Sequence, residues 1–492
     1  MDAKILNQGF GFANYPSVKL KYFKTDTKTG KQTFSFRKEL LFGDYVRPIL
    51  KNGQPVEVKI GKSSYLMVRA RNADGYIKPS EIIPDRVLEV NFIDIGQGDG
   101  CHVVTPDDKH FIIDAGKGDN MFRFLAWRFN LKYAKSSPPN FTGIISHSDA
   151  DHYGGFAKLF TAQKNSKNQF SFDTIYHNGM VEESGSPVET LGTVVGNGQD
   201  YITDLCDDEA SFKKRAATAS KKGNYIKLLE KTSAPKKSLR YGSGTIYDKG
   251  GLKIEVLGPV AKKVAGKDAL PVFDDNKGKT KNGHSVILKL SIGKLKILLG
   301  GDLNTDSEEY LLTHFGKQNV GELVKKIKDK AATPEQKAAA QEKLADAIGK
   351  ARKHFQVDIA KSCHHGSADF TSEFLQALNP IATVISSGDE EPYCHPRPDT
   401  LGTIGKFSRG ERSLIFCTEL ARSGKEFIDL TKLPPNKKME RVVTVYGMIN
   451  VRSDGERVMI AQKLERPAAS KNWDIHKLAW NKDLKEFEYI VD

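Results

Sequence analysis

The densest group of chemically reactive side chains lies in the segment IISHSDADHYGG, residues 144–155. An apolar strand that ends at Ser146 is followed by four potential metal ligands within six residues: His147, Asp149, Asp151 and His152. Two neighbouring carboxylates repel each other and raise each other's pKa, whereas a bound divalent cation removes that conflict. The segment is therefore predicted to bind metal, and a charged surface turn is the alternative.

The elements that must position this segment alternate between apolar strands and helical segments after Arg86. Strand-like runs such as VLEVNFIDI, HFIIDAG and KLKILLGG are separated by helical segments such as NMFRFLAWRFNLKYA. This alternation is typical of a layered α/β core. We expect this catalytic unit to span residues 86–432, followed by a C-terminal β-hairpin extension over 433–492 with Asp454 and Gly455 in its tight turn.

Residues 1–85 have a different pattern, with short β runs broken by turn residues. They are predicted to form a small all-β, barrel-like module that resembles Src-homology-type barrels of bacteria. Such modules commonly dock partners or cover a neighbouring domain. The N-terminal module is therefore a candidate site for a protein partner.

Two insertions interrupt the α/β pattern. Residues 183–245 are polar and rich in Gly, Ser and Lys, and are predicted to form a basic surface insertion. Residues 318–355 are predicted to form two helices that are separated at Thr333 and Pro334. Thr is a good helix cap and Pro suits the first helical position.

The excess of positive charge is concentrated in the first insertion. The 492 residues include 75 Lys+Arg and 61 Asp+Glu, a net charge of +14, and ten of the cations lie in residues 213–240 with Glu230 as the one acidic residue. Such a run is either a solvated loop or a phosphate-binding surface for nucleic acid. The second interpretation assigns nucleic-acid contacts to Lys213, Lys214, Arg215, Lys221 and Lys222.

The composition also excludes several classes of protein. No run approaches the roughly 18 apolar residues of a membrane span, and the first residues lack the pattern of a secretory signal. Five widely separated cysteines without a C-x-x-C pair argue against a disulfide framework or a structural zinc knuckle. A cytoplasmic protein without membrane contact is expected.

The motif of residues 147–152 resembles that of the metallo-β-lactamase fold superfamily, in which H-x-H-x-D-H follows a strand. Asp149 stands where the second histidine is usual, giving H-x-D-x-D-H. Together with FIDIGQGDG upstream and CHHGS downstream, this pattern resembles the soluble nuclease-like domain of the ComEC competence proteins and their stand-alone relatives, over about residues 88–420. The resemblance implies an αββα sandwich and a hydrolytic metal site.

The resemblance also implies roles for residues outside the motif. Asp114 is implied to be buried and to orient the histidine loop, and Asp302 is implied to bridge two metals. A helix N-cap is the alternative role for Asp302. Asp99 and Asn282 are implied to support the ligands, and His284 is either a ligand or a wall of the pocket.

Three further histidines follow predicted strands: His364 and His365 in VDIAKSCHHGS, and His395 in EEPYCHPRPDT. We expect at least one of them to bind metal, a role assigned to His364. Another should meet the attacking or leaving oxygen, for which His365 and His395 are the candidates. Ser367 and Lys361 are candidates for stabilising charge on the phosphoryl oxygens.

These ligand types favour hydrolysis at a centre of two divalent ions. His147 and Asp149 are expected to hold one ion, and Asp151 and His152 the other together with a downstream histidine. Two ions about 4 Å apart can activate water and clamp both reacting oxygens of a phosphodiester, which gives Asp151 a catalytic role as well. The carboxylate at Asp149 shifts the preference from Zn²⁺ towards Mn²⁺.

The predicted function is a metal-dependent phosphodiesterase or nuclease that acts on DNA or RNA. A hydrolase of a small phosphodiester, such as a cyclic nucleotide, or of an ester is the alternative, because one fold serves many substrates. A non-catalytic binding protein is the third interpretation, and the retained ligand set disfavours it.

Overall fold

The structure is a computed structural model that describes residues 2–131, 137–161, 169–196, 198–388, 394–418, 448–468 and 470–491. The expected boundary between the catalytic unit and the C-terminal extension, at residues 432 and 433, lies outside the described residues.

The N-terminal module is an antiparallel β structure preceded by a short helix. Its elements are α1 (Ala3–Gln8), β1 (Gly11–Ala13), β2 (Ser17–Thr25), β3 (Gln32–Leu41), β4 (Tyr45–Pro48), β5 (Leu50–Lys51), β6 (Gln54–Pro55), β7 (Glu57–Ile60), β8 (Ser63–Ala70), β9 (Ala73–Ile77) and β10 (Ile82–Ile83). The strand order is β10-β1-β4-β8-β9-β2-β3, with β7 paired to β8 and β5 paired to β6. Leu20, Leu66, Val68 and Ile77 form the centre of its core.

The strands that follow build the larger part of the molecule. They are β11 (Leu88–Phe92), β12 (Gly100–Val104), β13 (His110–Ala115), β14 (Asn140–Ile144), β15 (Ser171–His177), β16 (Thr193–Gly196), β17 (Asp200–Thr203), β18 (Lys236–Ser238), β19 (Thr245–Lys249), β20 (Leu252–Gly258), β21 (Lys262–Val264), β22 (Lys267–Pro271), β23 (Ile287–Ile292), β24 (Leu295–Leu299), β25 (Ile359–Lys361), β26 (Ala382–Ile385), β27 (Leu414–Cys417), β28 (Ile449–Ser453), β29 (Arg457–Ala468), β30 (Lys471–Asn481) and β31 (Glu486–Ile490).

The helices of this part are α2 (Asn120–Arg128), α3 (Ala150–Tyr153), α4 (Phe156–Phe160), α5 (Glu209–Thr218), α6 (Asn224–Leu229), α7 (Lys277–Gly283), α8 (Thr305–Gly316), α9 (Val320–Lys328), α10 (Pro334–Phe355), α11 (Ser372–Leu378) and α12 (Pro398–Phe407). Across the described ranges, no helix combines the length and the apolarity that crossing a membrane requires.

Two mixed sheets face each other in the centre of the molecule. The first has the order β18-β15-β14-β13-β12-β11-β28-β29-β30-β31, and the second has the order β19-β20-β23-β24-β25-β26-β27. Apolar side chains from both sheets, such as Val90 and Leu290, share one core between them. Phe124 of α2 packs in a core on the outer side of the first sheet, and Leu312 of α8 packs in a core on the outer side of the second. These four layers form the expected αββα sandwich.

The first insertion is more ordered than its polar composition predicts. Within residues 183–245, α5 and α6 bury Phe212, Tyr225, Ile226 and Leu229 in the core outside the first sheet, and β18 pairs with β15. The apolar residues lie between lysines at helical spacing, so each short helix has one buried and one charged face. The prediction of a polar surface insertion is therefore wrong for these helices.

The second insertion contains α9 and α10, which are separated where the sequence predicts. Thr333 accepts a hydrogen bond from Gln336 N at 3.3 Å, and Pro334 is the first residue of α10. Ala347, Ile348 and Phe355 of α10 pack in the core outside the second sheet.

The C-terminal strands continue the first sheet instead of forming a separate hairpin. β28 pairs with β11, and β29 to β31 follow as antiparallel neighbours. Asp454 and Gly455 lie in the turn between β28 and β29, with φ 99° at Gly455. The N-terminal module packs on these strands, where Tyr15 donates to Val458 O at 3.1 Å and Glu39 accepts from Asn472 N at 2.7 Å.

A group of buried charges joins the module to the first sheet. We call it the inter-module cluster, and it consists of Asp44, Arg71, Glu89, Arg128 and Arg452. Arg71 binds both oxygens of Asp44 at 2.6 and 2.8 Å, and Arg128 binds both oxygens of Glu89 at 2.5 and 3.1 Å. Arg452 lies between the two carboxylates, 3.3 Å from Asp44 and 3.4 Å from Glu89. The module is thus fixed by paired charges.

Candidate metal centre

The histidine loop after β14 is held by one buried carboxylate. Asp114 Oδ1 accepts from Ser146 N at 2.7 Å, and Asp114 Oδ2 accepts from His152 Nδ1 at 2.8 Å. His152 is fully buried, and its Nε2 lies 3.1 Å from Asp302 Oδ2. A carboxylate that binds one imidazole nitrogen leaves the other nitrogen oriented for a metal. Asp114 therefore has the position that the resemblance implies.

The glycine turn before β12 packs directly on the histidine loop. Gly98 has φ +97°, and a Cβ atom there would lie 1.8 Å from Asp151 O, so only glycine fits. The next residue, Asp99, donates its backbone N–H to Asp151 O at 3.3 Å. This contact brings the Asp99 carboxylate to the bottom of the site.

Asp302 enters the site on the turn after β24. Gly301 has φ +58°, and a Cβ atom there would lie 2.6 Å from Ser285. Asp302 N donates to Ser285 Oγ at 3.0 Å, and the same Oγ lies 3.2 Å from His147 Nδ1. The cap of α8 is Asn304, which accepts from Ser307 N, so the helix N-cap role considered for Asp302 is wrong.

The CHHGS segment places His365 rather than His364 against the centre. His365 Nδ1 lies 3.1 Å from Ser386 O, and His365 Nε2 lies 3.1 Å from Asp302 Oδ2. Both histidines have left-handed backbone angles, φ 48° at His364 and φ 54° at His365. Strained backbone of this kind costs on the order of 1–3 kcal/mol per residue and is common at functional sites.

Lys361 is the buried cation of the site. Its ammonium group forms an ion pair with Asp99, lies 3.7 Å from Asp302 Oδ1 and donates to Gly301 O at 3.0 Å. Only 4% of its side chain is exposed. The sequence-based expectation that Lys361 meets phosphoryl oxygens does not match this geometry, because its donors are directed to protein oxygens.

The charges of the site stabilise one another. Burial opposes ionisation of Asp99, but Lys361 and His365 outweigh it and lower the pKa of Asp99 to about 2. Burial also opposes protonation of His365, but Asp302 and Asp99 outweigh it and raise the pKa of His365 to about 10. In the same way, His152 and His365 hold the pKa of Asp302 well below its usual range despite its burial.

Several buried atoms that could bind a metal ion lack a hydrogen bond within the site. Among the described residues, no hydrogen-bond partner is found for three buried atoms, His152 Nε2, His365 Nε2 and Asp302 Oδ1. Both imidazole nitrogens face Asp302 Oδ2 at 3.1 Å, and Lys361 is 3.7 Å from Asp302 Oδ1. We call His152, Asp302 and His365 the central donors. Buried polar atoms are rarely left unpaired, so this convergence is typical of a site that binds a ligand.

The donor set fits a divalent metal ion. Ligand atoms of His147, His152 and Asp302 lie within 4.8 Å of one another, as do those of Asp151, His152 and His365, and those of Asp99, Asp302 and His365. Imidazole and carboxylate ligands suit Zn²⁺ and Mn²⁺. The structure thus brings together His147, Asp151, His152 and Asp302 as the sequence predicts, and it adds His365 to the ligand side.

Asp149 lies at the margin of this centre. Its Oδ2 is 3.6 Å from His147 Nε2, but its Oδ1 forms an ion pair with Lys281 of α7. With the Asn282 amide oriented to suit its neighbours, Asn282 donates to Asp149 Oδ2 at 2.8 Å. Sequence reasoning missed Lys281, although its place directly before Asn282 was a usable signal.

His284 is part of the pocket wall and not a ligand. Its ring stacks on Phe273 with the ring centroids 4.6 Å apart, and its Nε2 lies 2.7 Å from Pro271 O. Burial lowers the pKa of His284 to about 4. Because its Nε2 is directed to a carbonyl group away from the central donors, the metal role assigned to it is wrong.

The remaining predicted residues lie beside the centre. The rings of His364 and His395 have centroids 6.0 Å apart, and His364 belongs to none of the ligand groups that the described residues form. Ser367 Oγ accepts from Asp369 N at 3.1 Å, which makes Ser367 a turn residue in this structure. The metal role of His364 and the catalytic role of Ser367 therefore do not match the geometry.

The predicted nucleic-acid residues separate into two groups. Arg215 forms an ion pair with Glu183 at 2.9 Å and donates to Thr190 O at 3.0 Å. Two of the lysines also have acidic partners, Lys213 with Glu209 and Lys222 with Glu230. Lys214 and Lys221 are exposed, and neither forms an ion pair with any residue that the structure describes.

Comparison with known proteins supports the resemblance. No protein-family model matches the chain. Over 336 residues, 65% of this chain, it is 23% identical to ComE operon protein 3 of Bacillus subtilis (strain 168), and the match spans 31% of that protein. A solved metal-dependent hydrolase of the beta-lactamase superfamily matches with a TM-score of 0.29 and 11% identity, covering 67% of this chain and 95% of that one. The chain resembles ComEC-type proteins, and its αββα layers are those expected of a metallo-β-lactamase fold.

Proposed function

We propose that this protein is a divalent-metal-dependent hydrolase that cleaves phosphodiester bonds, with nucleic acid as its substrate. The observation that carries the proposal is the convergence of the central donors, at which His152 Nε2, His365 Nε2 and Asp302 Oδ1 meet without a hydrogen-bond partner in the described part of the chain. A divalent ion held there supplies Lewis acidity towards water and the phosphoryl group. We expect Mn²⁺, because the carboxylates of Asp151 and Asp302 add hard oxygen ligands to the imidazoles.

The protein's own residues fix the geometry of this reaction. Asp114 orients His152, and the carbonyl of Ser386 orients His365, so that both Nε2 atoms face Asp302. Lys361 balances the charge of the carboxylates beneath them. Preorganised groups of this kind need no rearrangement when charge develops in the transition state.

Asp151 is the residue best placed to accept a proton from the attacking water. Its Oδ2 lies 3.9 Å from His365 Nε2, and 20% of its side chain is exposed, which is more than for His365 or Asp302. Asp151 therefore lies on the open side of the centre, where substrate must enter. A general base must lie within reach of the proton that it takes, and the exposed side of Asp151 leaves room for the water and the substrate.

The positive charge of the protein supports nucleic acid as the substrate. The chain carries +14 overall, and Lys214 and Lys221 offer exposed cations. The segment that carries them is anchored close to the centre, because Tyr225 of α6 contacts Tyr153 with ring centroids 5.0 Å apart. Exposed lysines beside a hydrolytic site attract phosphate groups.

A small phosphodiester is the second candidate substrate. The observation that favours it is the pairing of Lys213, Arg215 and Lys222 with acidic neighbours. This pairing leaves fewer cations for a nucleic-acid backbone than the sequence predicts. A small substrate needs only the metal centre and not the basic segment.

The decisive test is hydrolysis by the full chain after chelation and addition of Mn²⁺, Mg²⁺ or Zn²⁺. The substrates are single- and double-stranded DNA, RNA, a cyclic nucleotide and bis-p-nitrophenyl phosphate. We expect Mn²⁺-dependent cleavage of nucleic acid that Asp302→Asn loses and that the nearby surface variant Asp306→Asn retains. Cleavage of the small esters alone would favour the second candidate, and no hydrolysis of any substrate by a metal-loaded protein would refute the proposed function.

A further inference from the structure

The two sides of the metal centre differ in how their carboxylates are satisfied. Asp302 Oδ1 has no hydrogen-bond partner among the described residues. At Asp149, in contrast, one oxygen pairs with the ammonium group of Lys281 and the other accepts from the Asn282 amide at 2.8 Å. Asp149 therefore has protein donors at both positions where a metal ion would bind.

Lys281 is held in this position by a second carboxylate. Its Nζ also lies 3.3 Å from Glu182 Oε2, and only 12% of its side chain is exposed. Glu182 in turn accepts from Ser148 Oγ at 3.0 Å and pairs with Lys277 at 2.6 Å. The lysine is thus built into a network and is not a surface side chain that happens to lie near Asp149.

The charges of this network balance without any added ion. Lys277 and Lys281 supply two positive charges, and Asp149 and Glu182 supply two negative charges. A divalent ion at Asp149 would have to displace the lysine from its partner and then remain beside it. Repulsion between neighbouring cations in a largely buried place opposes that arrangement.

We propose that Lys281 is the resident cation of the Asp149 side, so that the protein binds one divalent ion, at the central donors, instead of two. This inference rests on the proposed function only in requiring that the central donors bind metal. The H-x-D-x-D-H motif then contributes Asp149 as the anchor of Lys281, while His147, Asp151 and His152 remain available to the single ion.

The test counts metal ions in the full-length protein. Wild type, Lys281→Met and Lys279→Met are stripped with chelator, loaded with Mn²⁺ and desalted, and the bound metal is measured by mass spectrometry and by electron paramagnetic resonance. Lys279 is a matched control, because it is a lysine of the same helix, α7, but pairs with Asp274 and Asp306 instead of Asp149. Thermal unfolding of each variant shows whether it is folded.

We expect one Mn²⁺ per chain in wild type and in Lys279→Met. In Lys281→Met we expect two Mn²⁺ per chain with a spin-coupled signal, and the double variant Lys281→Met/Asp149→Asn should return to one. Two ions in wild type would overturn the inference, as would a single ion in a folded Lys281→Met. If no variant binds Mn²⁺, the metal centre itself is refuted and the inference with it. One bound ion without hydrolysis would refute the proposed function alone.

Discussion

Two buried groups of charged side chains in this protein differ in how completely they are paired. In the inter-module cluster, every oxygen of Asp44 and Glu89 lies within 3.3 Å of a donor nitrogen. At the central donors, in contrast, Asp302 Oδ1 has no hydrogen-bond partner within the described chain, and Lys361 is 3.7 Å from it. Burial of charge alone therefore does not identify a functional site, whereas an unpaired carboxylate oxygen beside two converging imidazoles does.

The largest effect is expected from removing a central donor. Asp302→Ala should reduce hydrolysis to background and lower the bound metal, because Asp302 contacts both His152 and His365. Bound metal and hydrolysis are measured on the same purified sample. If Asp302→Ala kept both its bound metal and its hydrolytic activity, Asp302 would have only a structural role, like the carboxylates of the inter-module cluster.

Breaking the inter-module cluster should change stability and leave the metal centre intact. Glu89→Gln removes the carboxylate that pairs with Arg128 and leaves Arg452 with Asp44 alone, and loss of one partner of a buried ion pair costs about 3–5 kcal/mol. Chemical denaturation measures this loss, and Mn²⁺ binding by the folded variant should equal that of wild type. A change in metal affinity without a change in stability would contradict the division between the two groups.

The stabilisation that Glu89 provides should also depend on pH. Burial opposes ionisation of Glu89, but Arg128 and Arg452 outweigh it and hold its pKa well below 4.5 in the folded protein. The stabilisation is therefore fully present above the unfolded-state pKa of about 4.5 and is lost as the pH falls below it. The difference in free energy of unfolding between wild type and Glu89→Gln should shrink between pH 5 and lower values on the order of pH 3. A constant difference across that range would show that Glu89 is not charged in the folded state.

A smaller effect, on metal affinity, is expected from changing Asp114, which orients His152. In Asp114→Asn, His152 Nδ1 loses its carboxylate acceptor, and loss of such outer support typically costs about 10–100-fold in metal affinity. Competition with a chromophoric chelator measures the affinity, and Asp119→Asn, which alters a surface pair with Arg123, is the control. Equal affinities in the two variants would mean that His152 is not held by Asp114.

The smallest effect concerns the exposed lysines. Lys214→Gln with Lys221→Gln should weaken nucleic-acid binding, and it should flatten the dependence of log K on log[salt] by about 0.9 for each phosphate contact that is lost. Lys325→Gln, at an exposed lysine of α9, is the control. Unchanged salt dependence in the double variant would leave the small phosphodiester as the better candidate substrate.

Local patterns predict much of the fold and of the site. The alternation of apolar strands with helices predicts a layered α/β core, and the family resemblance implies its αββα arrangement. His147, Asp151 and His152 are close in sequence, so one strand end brings them together. Long-range pairing is not visible in that way. Asp149 and Lys281 are 132 residues apart, and nothing in the motif shows that the lysine takes the carboxylate.

The sequence could not show whether His364 or His365 faces the central site. That depends on the left-handed backbone at both residues, which directs the His365 ring towards Asp302. The burial of α5 and α6 was missed for a related reason. The charge of the lysines dominates the composition of that segment and obscures the apolar face between them.

The pairing of β28 with β11 has a consequence for how the protein is made. Tyr15 contacts Val458 across 443 residues of chain, and β11 has β12 as its one neighbour until β28 has been synthesised. During translation, the strand that begins the catalytic unit is thus an open sheet edge, which is a site of aggregation. A chain that ends before Ile449 would keep that open edge, so we expect such truncated products to aggregate.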